Sequence, residues 1–164
     1  MVDLSEREKN NFMKEAIYEG VQATRVGEVP IGCVIVLDGK IIGRGHNLRE
    51  HSQNATMHAE MLAIQEANDF VSSWRLPDAK LFVTLEPCPM CSGAIINSRI
   101  KEVYYGAPDP KAGTAGTLMN LLTDKRFNHQ VKVEKGLMQE QCAALLKNFF
   151  KQIRKRKKSQ KKAK

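Results

Sequence analysis

The sequence predicts an α/β fold, a three-layer α/β/α sandwich around a central five-stranded mixed sheet. One observation is a strong hairpin signal, Asp38-Gly39, between two β-rich runs in the first third of the chain. The other is the alternation of strand-like and helix-like segments along the remaining residues. Alternation of this kind is typical of βαβ crossovers, which give parallel strands with helices on both faces. The hairpin then adds an antiparallel pair at one side of the sheet.

The N-terminal half predicts a helix, a hairpin and a second helix. Ser5 is a predicted N-cap with Glu8 as its capping-box partner. The apolar residues that follow recur at helical spacing, so we expect a helix over roughly 6–24. The hairpin strands lie in PIGCVIVLDGKIIGRGH, and helical composition returns in HAEMLAIQEANDF.

The C-terminal half predicts three strands, each followed by a helix. The strands are KLFVTLE, KEVYYGA and HQVKVEKG, and MCSGAIINSR predicts the helix after the first of them. TLMNLL predicts a short helix after the second strand. QEQCAALLKNFFKQIRKRKK predicts a last helix that runs into the C-terminal tail.

Composition narrows the class of protein. A chain of 164 residues is the size of one domain. Its apolar runs are short and broken by charges, so we expect no membrane span, and the polar N-terminus lacks a signal-peptide pattern. Four cysteines are too few and too unevenly spaced for a disulfide scaffold, which favours a reducing, cytoplasmic setting.

The positive charge is concentrated at the C-terminus. The net charge is +8, and the residues from Lys147 onward include ten Lys and Arg and no acid. We therefore expect a domain over 1–153 and a basic, flexible tail over 154–164. Such a tail either attracts a polyanion such as nucleic acid or is a solvated end that aids solubility.

Three side chains form a candidate zinc site. A lone C-x-x-C such as Cys88 and Cys91 could belong to a zinc knuckle or a redox dithiol. His58, however, begins one predicted helix and the cysteines begin the next, so all three can meet at one end of a parallel sheet. Three protein ligands leave a position for water, which is the catalytic arrangement, and zinc lowers the pKa of that water toward ~7. The other cysteines and histidines are expected to be buried or loop residues: Cys33, Cys142, His46, His51 and His129.

Glu60, two residues after His58, is a candidate proton carrier. In the first turn of a helix its carboxyl group can lie beside the metal site, take a proton from the bound water and deliver it to substrate. Taken alone, Glu60 could simply be a favourable acid near a helix N-terminus. The combination H-x-E followed by P-C-x-x-C favours the catalytic interpretation, because it is the signature of zinc-dependent nucleobase deaminases.

Four further segments extend this match: GEVPIGCVIV at 27–36, GRGHN at 43–47, TLEPCPMCSGAI at 84–95 and YYGAPDPKAGTAGTLMNLL at 104–122. With them, the chain resembles the bacterial tRNA-specific adenosine deaminases (TadA type) of the cytidine-deaminase-like superfamily over about 1–155. The last segment is typical of that family and not of the wider superfamily. Cys33 and Thr117 depart from the pattern, since the family usually has Ala and Ser there.

The resemblance implies a role for each site residue. One Zn²⁺ per subunit is expected at His58, Cys88 and Cys91, with Glu60 as proton shuttle. Asn47 is expected to bind the base, although it could equally be a turn residue. Asp109 is expected near the ribose, a role compatible with a turn. The remaining expected substrate contacts are Ala59, Val29 and Pro87 around the base, and Lys111 and Arg154 at phosphates. Phe149 is expected to stack against a base, as is Phe150, although at least one of the two could instead pack in the core beside the helix.

The family also implies a reaction and partners. The expected activity is hydrolytic deamination of adenosine to inosine at the wobble position of a tRNA anticodon loop, by hydroxide attack at C6. A cytoplasmic homodimer is expected, with the apolar SGAIINSRI helix as a candidate source of interface. One alternative is a zinc deaminase of free nucleosides or bases, such as cytosine or guanine derivatives. The other is a zinc-stabilised RNA-binding module without catalytic activity.

Overall fold

The computed structural model describes residues 3–164 and contains one five-stranded sheet of order β2-β1-β3-β4-β5. β1 pairs antiparallel with β2 and with β3, whereas β3, β4 and β5 are parallel. The mixed sheet predicted from the sequence is thus confirmed. The strands are β1 (Gly32–Leu37), β2 (Lys40–His46), β3 (Lys80–Leu85), β4 (Glu102–Ala107) and β5 (Lys132–Lys135).

Helices cover both faces of this sheet. They are α1 (Glu6–Thr24), α2 (Arg49–Ser52), α3 (Ala59–Val71), α4 (Pro89–Asn97) and α5 (Gln139–Lys162). Alternate side chains of a strand point to opposite faces: Cys33 and Ile35 pack in the cluster with α3 and α4. Val34 and Val36 pack in the cluster with α1 and α5. The α/β/α sandwich is therefore also confirmed.

Two local predictions are confirmed in detail. Ser5 caps α1 by accepting a hydrogen bond from the backbone N–H of Glu8 at 3.2 Å. The Glu8 carboxylate accepts one from the backbone N–H of Ser5 at 2.8 Å, which completes the capping box. In the hairpin, Asp38 and Gly39 have φ of 49° and 74°, the left-handed conformation that this turn requires.

The segment TLMNLL is not helical, which corrects the predicted short helix. Residues 113–128 form turns, with an isolated β-bridge between Ala115 and Asn120. Gly116 has a φ of 133°, outside the helical region. The backbone N–H of Leu121 donates to the carbonyl oxygen of Thr114 at 2.9 Å, and not to that of Thr117 as a helix over 117–122 would require.

The basic tail expected over 154–164 lies mostly within α5, which continues to Lys162, and its flexibility stays a prediction. Residues 139–162 contain no Gly or Pro and are rich in Lys, Arg, Gln and Ala, which favour helix. The proposed domain limit at 153 stays a prediction. A search of residues 3–164 for a helix long and apolar enough to cross a bilayer found none.

Candidate active site and metal centre

The three predicted metal ligands lie together at the N-termini of α3 and α4. His58 is the N-cap residue of α3, Cys88 is the N-cap residue of α4, and Cys91 lies in the first turn of α4. The Nδ1 atom of His58 is 3.6 Å from the Sγ atom of each cysteine. All three candidate ligand atoms lie within 4.8 Å of one another.

This geometry fits a tetrahedral zinc ion. Typical Zn–S and Zn–N bond lengths place a nitrogen and a sulfur ligand about 3.6 Å apart at the tetrahedral angle. The two observed N···S distances are 3.6 Å. A Cys₂His donor set also suits zinc chemically, and the positive ends of two helix dipoles favour thiolate ligands.

The two thiols are electrostatically coupled. A hydrogen bond from Cys91, assisted by His58 and opposed by partial burial, lowers the pKa of Cys88 to about 4. The neighbouring Cys88 and burial raise the pKa of Cys91, because a second thiolate would lie beside the first. At neutral pH, both cysteines can be thiolates only if a nearby cation offsets their negative charges. A bound metal ion supplies this positive charge.

Glu60 lies in the first turn of α3 and is buried, with 4% of its surface exposed. Burial raises its pKa to about 7, an effect that hydrogen bonding to Cys91 and the charge of His58 partly offset. A carboxyl group with a pKa near the working pH can both accept and release a proton. The side chain also lines the cavity described next, so this proton can reach a bound molecule.

A cavity of about 460 Å³ opens in front of these residues. This volume is typical of small-molecule and cofactor sites. Beside His58, Glu60 and Cys88, the lining residues comprise two groups. Five are expected substrate contacts, namely Val29, Asn47, Ala59, Asp109 and Lys111. The others are Ile31, Arg49, Leu85, Glu86, Pro108, Pro110, Ala112, Leu146 and Phe150.

Three expected substrate contacts do not line this cavity. Pro87 is buried, and its carbonyl oxygen accepts a hydrogen bond from the backbone N–H of Thr114 at 2.9 Å. On α5, Phe150 reaches the cavity while Phe149 touches the Phe150 ring edge-on, with centroids 5.4 Å apart. Arg154 is exposed one turn farther along α5. Sequence spacing could not decide which of the two adjacent phenylalanines turns toward the site.

Asn47 is both a turn residue and a cavity residue. Its Oδ1 accepts a hydrogen bond from the backbone N–H of Arg49 at 3.1 Å. Its Nδ2 donates to the carbonyl oxygen of Val29 at 3.3 Å and to the carboxylate of Glu28 at 3.4 Å. Glu28 is buried and also accepts a hydrogen bond from the backbone N–H of His51. Glu28 was not predicted from the sequence, although it lies in the segment GEVPIGCVIV.

Glu86 is the second buried acid that the sequence analysis missed. Its carboxylate accepts backbone hydrogen bonds from Asp109 at 3.2 Å, Ala115 at 3.0 Å and Thr117 at 3.2 Å, and another from the Thr117 hydroxyl. The sequence signal for this buried acid was its position at the end of the largely apolar segment KLFVTLE. These bonds hold the loop 108–112, which forms one wall of the cavity.

Comparisons with known proteins show to which family the chain belongs. Residues 7–154 match the family model of the MafB19-like deaminases. The chain is 54% identical to a tRNA-specific adenosine deaminase of Bacillus subtilis over 151 residues, which are 92% of this chain and 94% of that protein. A solved structure from a study of A-to-I editing by tRNA deaminases at the wobble position of transfer RNA superimposes with a TM-score of 0.79. It is 40% identical and covers 83% of this chain and 99% of its own.

A deaminase of a free base also shares this fold. A solved guanine deaminase from Bacillus subtilis is 40% identical, with a TM-score of 0.59. The match covers 65% of this chain and 69% of that protein. The alternative substrate class named from the sequence therefore has to be tested directly.

Proposed function

Because this chain belongs to the bacterial tRNA-specific adenosine deaminases within the MafB19-like deaminase family, we propose that it converts adenosine to inosine at the wobble position of a tRNA anticodon loop. The overall reaction consumes one water and releases one ammonia. The observation that carries the proposal is the buried carboxyl of Glu60, which lies in the helical turn after His58 and lines a cavity of about 460 Å³.

His58, Cys88 and Cys91 would hold zinc, one ion per subunit. When bound, zinc supplies a water molecule whose pKa is lowered toward ~7 and which is therefore a nucleophile at neutral pH. Glu60 would take one proton from this water and pass it to N1 of the purine, and would then carry the remaining proton of the hydroxyl group on C6 to the departing amino group, which leaves as ammonia. A pKa of about 7 suits Glu60 to both directions of transfer.

Other residues of the cavity orient the base. Asn47 is held by Glu28 and the carbonyl of Val29, so its amide is in a defined position before a base enters. Such positioning lowers the entropic cost of reaching the reactive geometry. The backbone N–H of Ala59, at the first position of α3, is free of helical partners and can donate to the base.

An RNA loop suits the opening of this cavity. A base within a duplex is inaccessible, whereas an unstacked loop base can turn into a pocket. Asp109 and Lys111 lie on the rim, where the ribose and phosphates of the flipped nucleotide would lie. Phe150 offers an apolar ring at the rim that can stack against a neighbouring base, with Phe149 supporting it from the side.

We also propose that the protein acts as a homodimer in the cytoplasm. Ile95 and Ile96 of α4 are buried within one chain, so this helix is not the source of spare apolar surface that the sequence suggested. Leu118 and Met119 are each 55% exposed and are the better candidates for an interface. Sedimentation equilibrium of the full chain tests the oligomeric state.

Incubation with total tRNA, followed by mapping of adenosine-to-inosine changes by position, tests the function. We expect conversion confined to wobble adenosines, and none with the Glu60→Ala variant. Free adenosine, cytidine and guanine are assayed in parallel. Turnover of any of them at a rate matching tRNA would refute the proposal in favour of a small-molecule deaminase.

A further inference from the structure

We propose that Glu28 is a positioning residue for the deamination, which acts by fixing the orientation of the side-chain amide of Asn47. Glu28 lies in the loop between α1 and β1, and Asn47 directly follows β2. The inference rests on the proposed function, since it concerns the same reaction. It adds a residue to that reaction which does not line the cavity and which therefore has to act through one that does.

The two carboxylate oxygens of Glu28 accept hydrogen bonds from two different donors. Oε2 accepts one from Nδ2 of Asn47 at 3.4 Å, and Oε1 accepts one from the backbone N–H of His51. Only 1% of the surface of Glu28 is exposed, so solvent cannot readily replace either bond. A carboxylate is needed at this position, because a carboxamide has a single oxygen and its NH₂ group would face one of the two donors.

The hydrogen bonds of Asn47 define the direction of its amide. Nδ2 faces two acceptors, the Glu28 carboxylate and the carbonyl oxygen of Val29 at 3.3 Å. On the other side, Oδ1 accepts a hydrogen bond from the backbone N–H of Arg49 at 3.1 Å. A flipped amide would place Oδ1 against two acceptors and Nδ2 against a donor, so every one of these bonds would be lost. The carboxylate of Glu28 therefore selects one orientation.

A single orientation matters because Asn47 and Glu60 line the same cavity. The two ends of an amide have opposite hydrogen-bonding character, so the edge of a purine can pair with one orientation and not with the other. Proton transfer from Glu60 requires the base to be within hydrogen-bond reach, and a displacement of about 1 Å can lower a rate by about 10²-fold. Glu28 thus affects the reaction through Asn47, without contact with the base.

A double-mutant cycle with Asn47→Ala tests this route. The single-turnover rate with a wobble-adenosine tRNA transcript is measured at saturating full-length protein for the wild type, both single variants and the double variant. We expect Glu28→Gln to lower this rate about 10- to 100-fold and to change the dissociation constant of tRNA by less than about twofold. In the Asn47→Ala background, Glu28→Gln should lower the rate by less than about twofold, because the amide that it positions is absent.

Glu66→Gln is the matched control for loss of an acceptor beside β2. Glu66 accepts a hydrogen bond from the backbone N–H of Arg44 at 3.0 Å and does not line the cavity. This substitution should leave the rate unchanged in both backgrounds. Glu28→Asp is a second variant of the positioning residue, since it keeps two carboxylate oxygens but withdraws them by one methylene group. Its smaller loss of rate should also disappear in Asn47→Ala, and urea denaturation verifies that each variant is folded.

The side-chain NH₂ signals of Asn47 provide a readout that does not depend on activity. In isotope-labelled protein, nuclear magnetic resonance identifies these signals by their absence in Asn47→Ala. The NH₂ group is hydrogen-bonded in the wild type, so its hydrogens should exchange slowly with solvent. Glu28→Gln should accelerate this exchange about fivefold or more, whereas Glu66→Gln should not.

Equal losses of rate for Glu28→Gln in the two backgrounds would overturn the inference, because Glu28 would then act by another route, such as its bond to His51 in α2. An unchanged rate or unchanged hydrogen exchange in Glu28→Gln would also overturn it. Absence of wobble inosine with the wild-type protein would instead overturn the proposed function, so the two failures are distinguishable.

Discussion

The carboxylate of Glu86 accepts a hydrogen bond from the backbone N–H of Ala115 at 3.0 Å, across 29 positions of sequence. Glu86 follows β3 and directly precedes the segment that carries Cys88 and Cys91. Through this bond and those to Asp109 and Thr117, the segment with the candidate metal ligands and the cavity wall are joined by one buried side chain. The shape of the cavity therefore depends on a residue outside the candidate ligands and proton carrier.

Substitution of this anchor should weaken the cavity wall. In Glu86→Gln, an amide NH₂ would replace one acceptor oxygen and face backbone donors, leaving them unsatisfied. We expect the free energy of unfolding to fall by about 1–3 kcal/mol and KM for tRNA to rise more than kcat falls. Urea denaturation and steady-state kinetics measure both, with exposed Glu140→Gln as control. An unchanged KM would show that the loop 108–112 keeps its position without Glu86.

Removal of the Glu60 carboxylate should abolish proton transfer while leaving the metal in place. We expect Glu60→Gln to lower kcat by about 10²–10⁴-fold. The variant should retain about one zinc per chain, because the candidate ligand atoms belong to other residues. Single-turnover kinetics, metal analysis and tRNA affinity provide the measurements. Glu66→Gln is the control, since Glu66 lies on the exposed side of α3. Retained activity in Glu60→Gln would support the RNA-binding module without catalysis.

The metal-free protein should expose one reactive thiol. The pKa of Cys88 is lowered to about 4, so above that pH its thiolate is the main species and reacts with iodoacetamide. Burial raises the pKa of Cys33 and raises that of Cys142 to about 12, which makes them internal controls. Mass spectrometry at pH 7 should find Cys88 alkylated first after chelation of the metal. Zinc should protect it, and equal alkylation with and without zinc would contradict the assigned ligand.

Close packing between β2 and α3 should be required for the position of Glu60. A Cβ atom on Gly45 would overlap the carbonyl oxygen of Ala59 and lie 2.8 Å from the backbone nitrogen of Ala63. Gly45→Ala should therefore cost about 1–3 kcal/mol of stability and lower kcat by displacing α3.

Gly39→Ala supplies the comparison for this substitution. Gly39 has a φ of +74° and open space around it, so an alanine there strains the hairpin by about 1–2 kcal/mol without moving α3. Thermal unfolding should detect both changes, whereas kcat should fall only for Gly45→Ala. Equal kcat values in the two variants would mean that α3 absorbs the added methyl group.

The hairpin, the helix cap and the candidate ligand set followed from local patterns. The Asp38-Gly39 turn, the Ser5 capping box and the alternating segments each act over a few residues, so a linear sequence displays them. His58, Glu60, Cys88 and Cys91 were found because metal ligands and a proton carrier require particular residue types at helix N-termini. Here the chemistry itself restricts the pattern, which made the candidate site predictable before any fold was known.

The tertiary structure decided how the cavity is built around that site. Glu28 and Glu86 accept hydrogen bonds from residues more than a dozen positions away, and such partners leave no local signal. TLMNLL forms a loop in place of the predicted helix, since the backbone N–H of Leu121 donates to the carbonyl oxygen of Thr114 and cannot also serve a helix. The register of α5 brings Phe150 rather than Phe149 to the cavity. Local chemistry thus determined the candidate ligands and proton carrier, and long-range hydrogen bonding and packing determined what surrounds them.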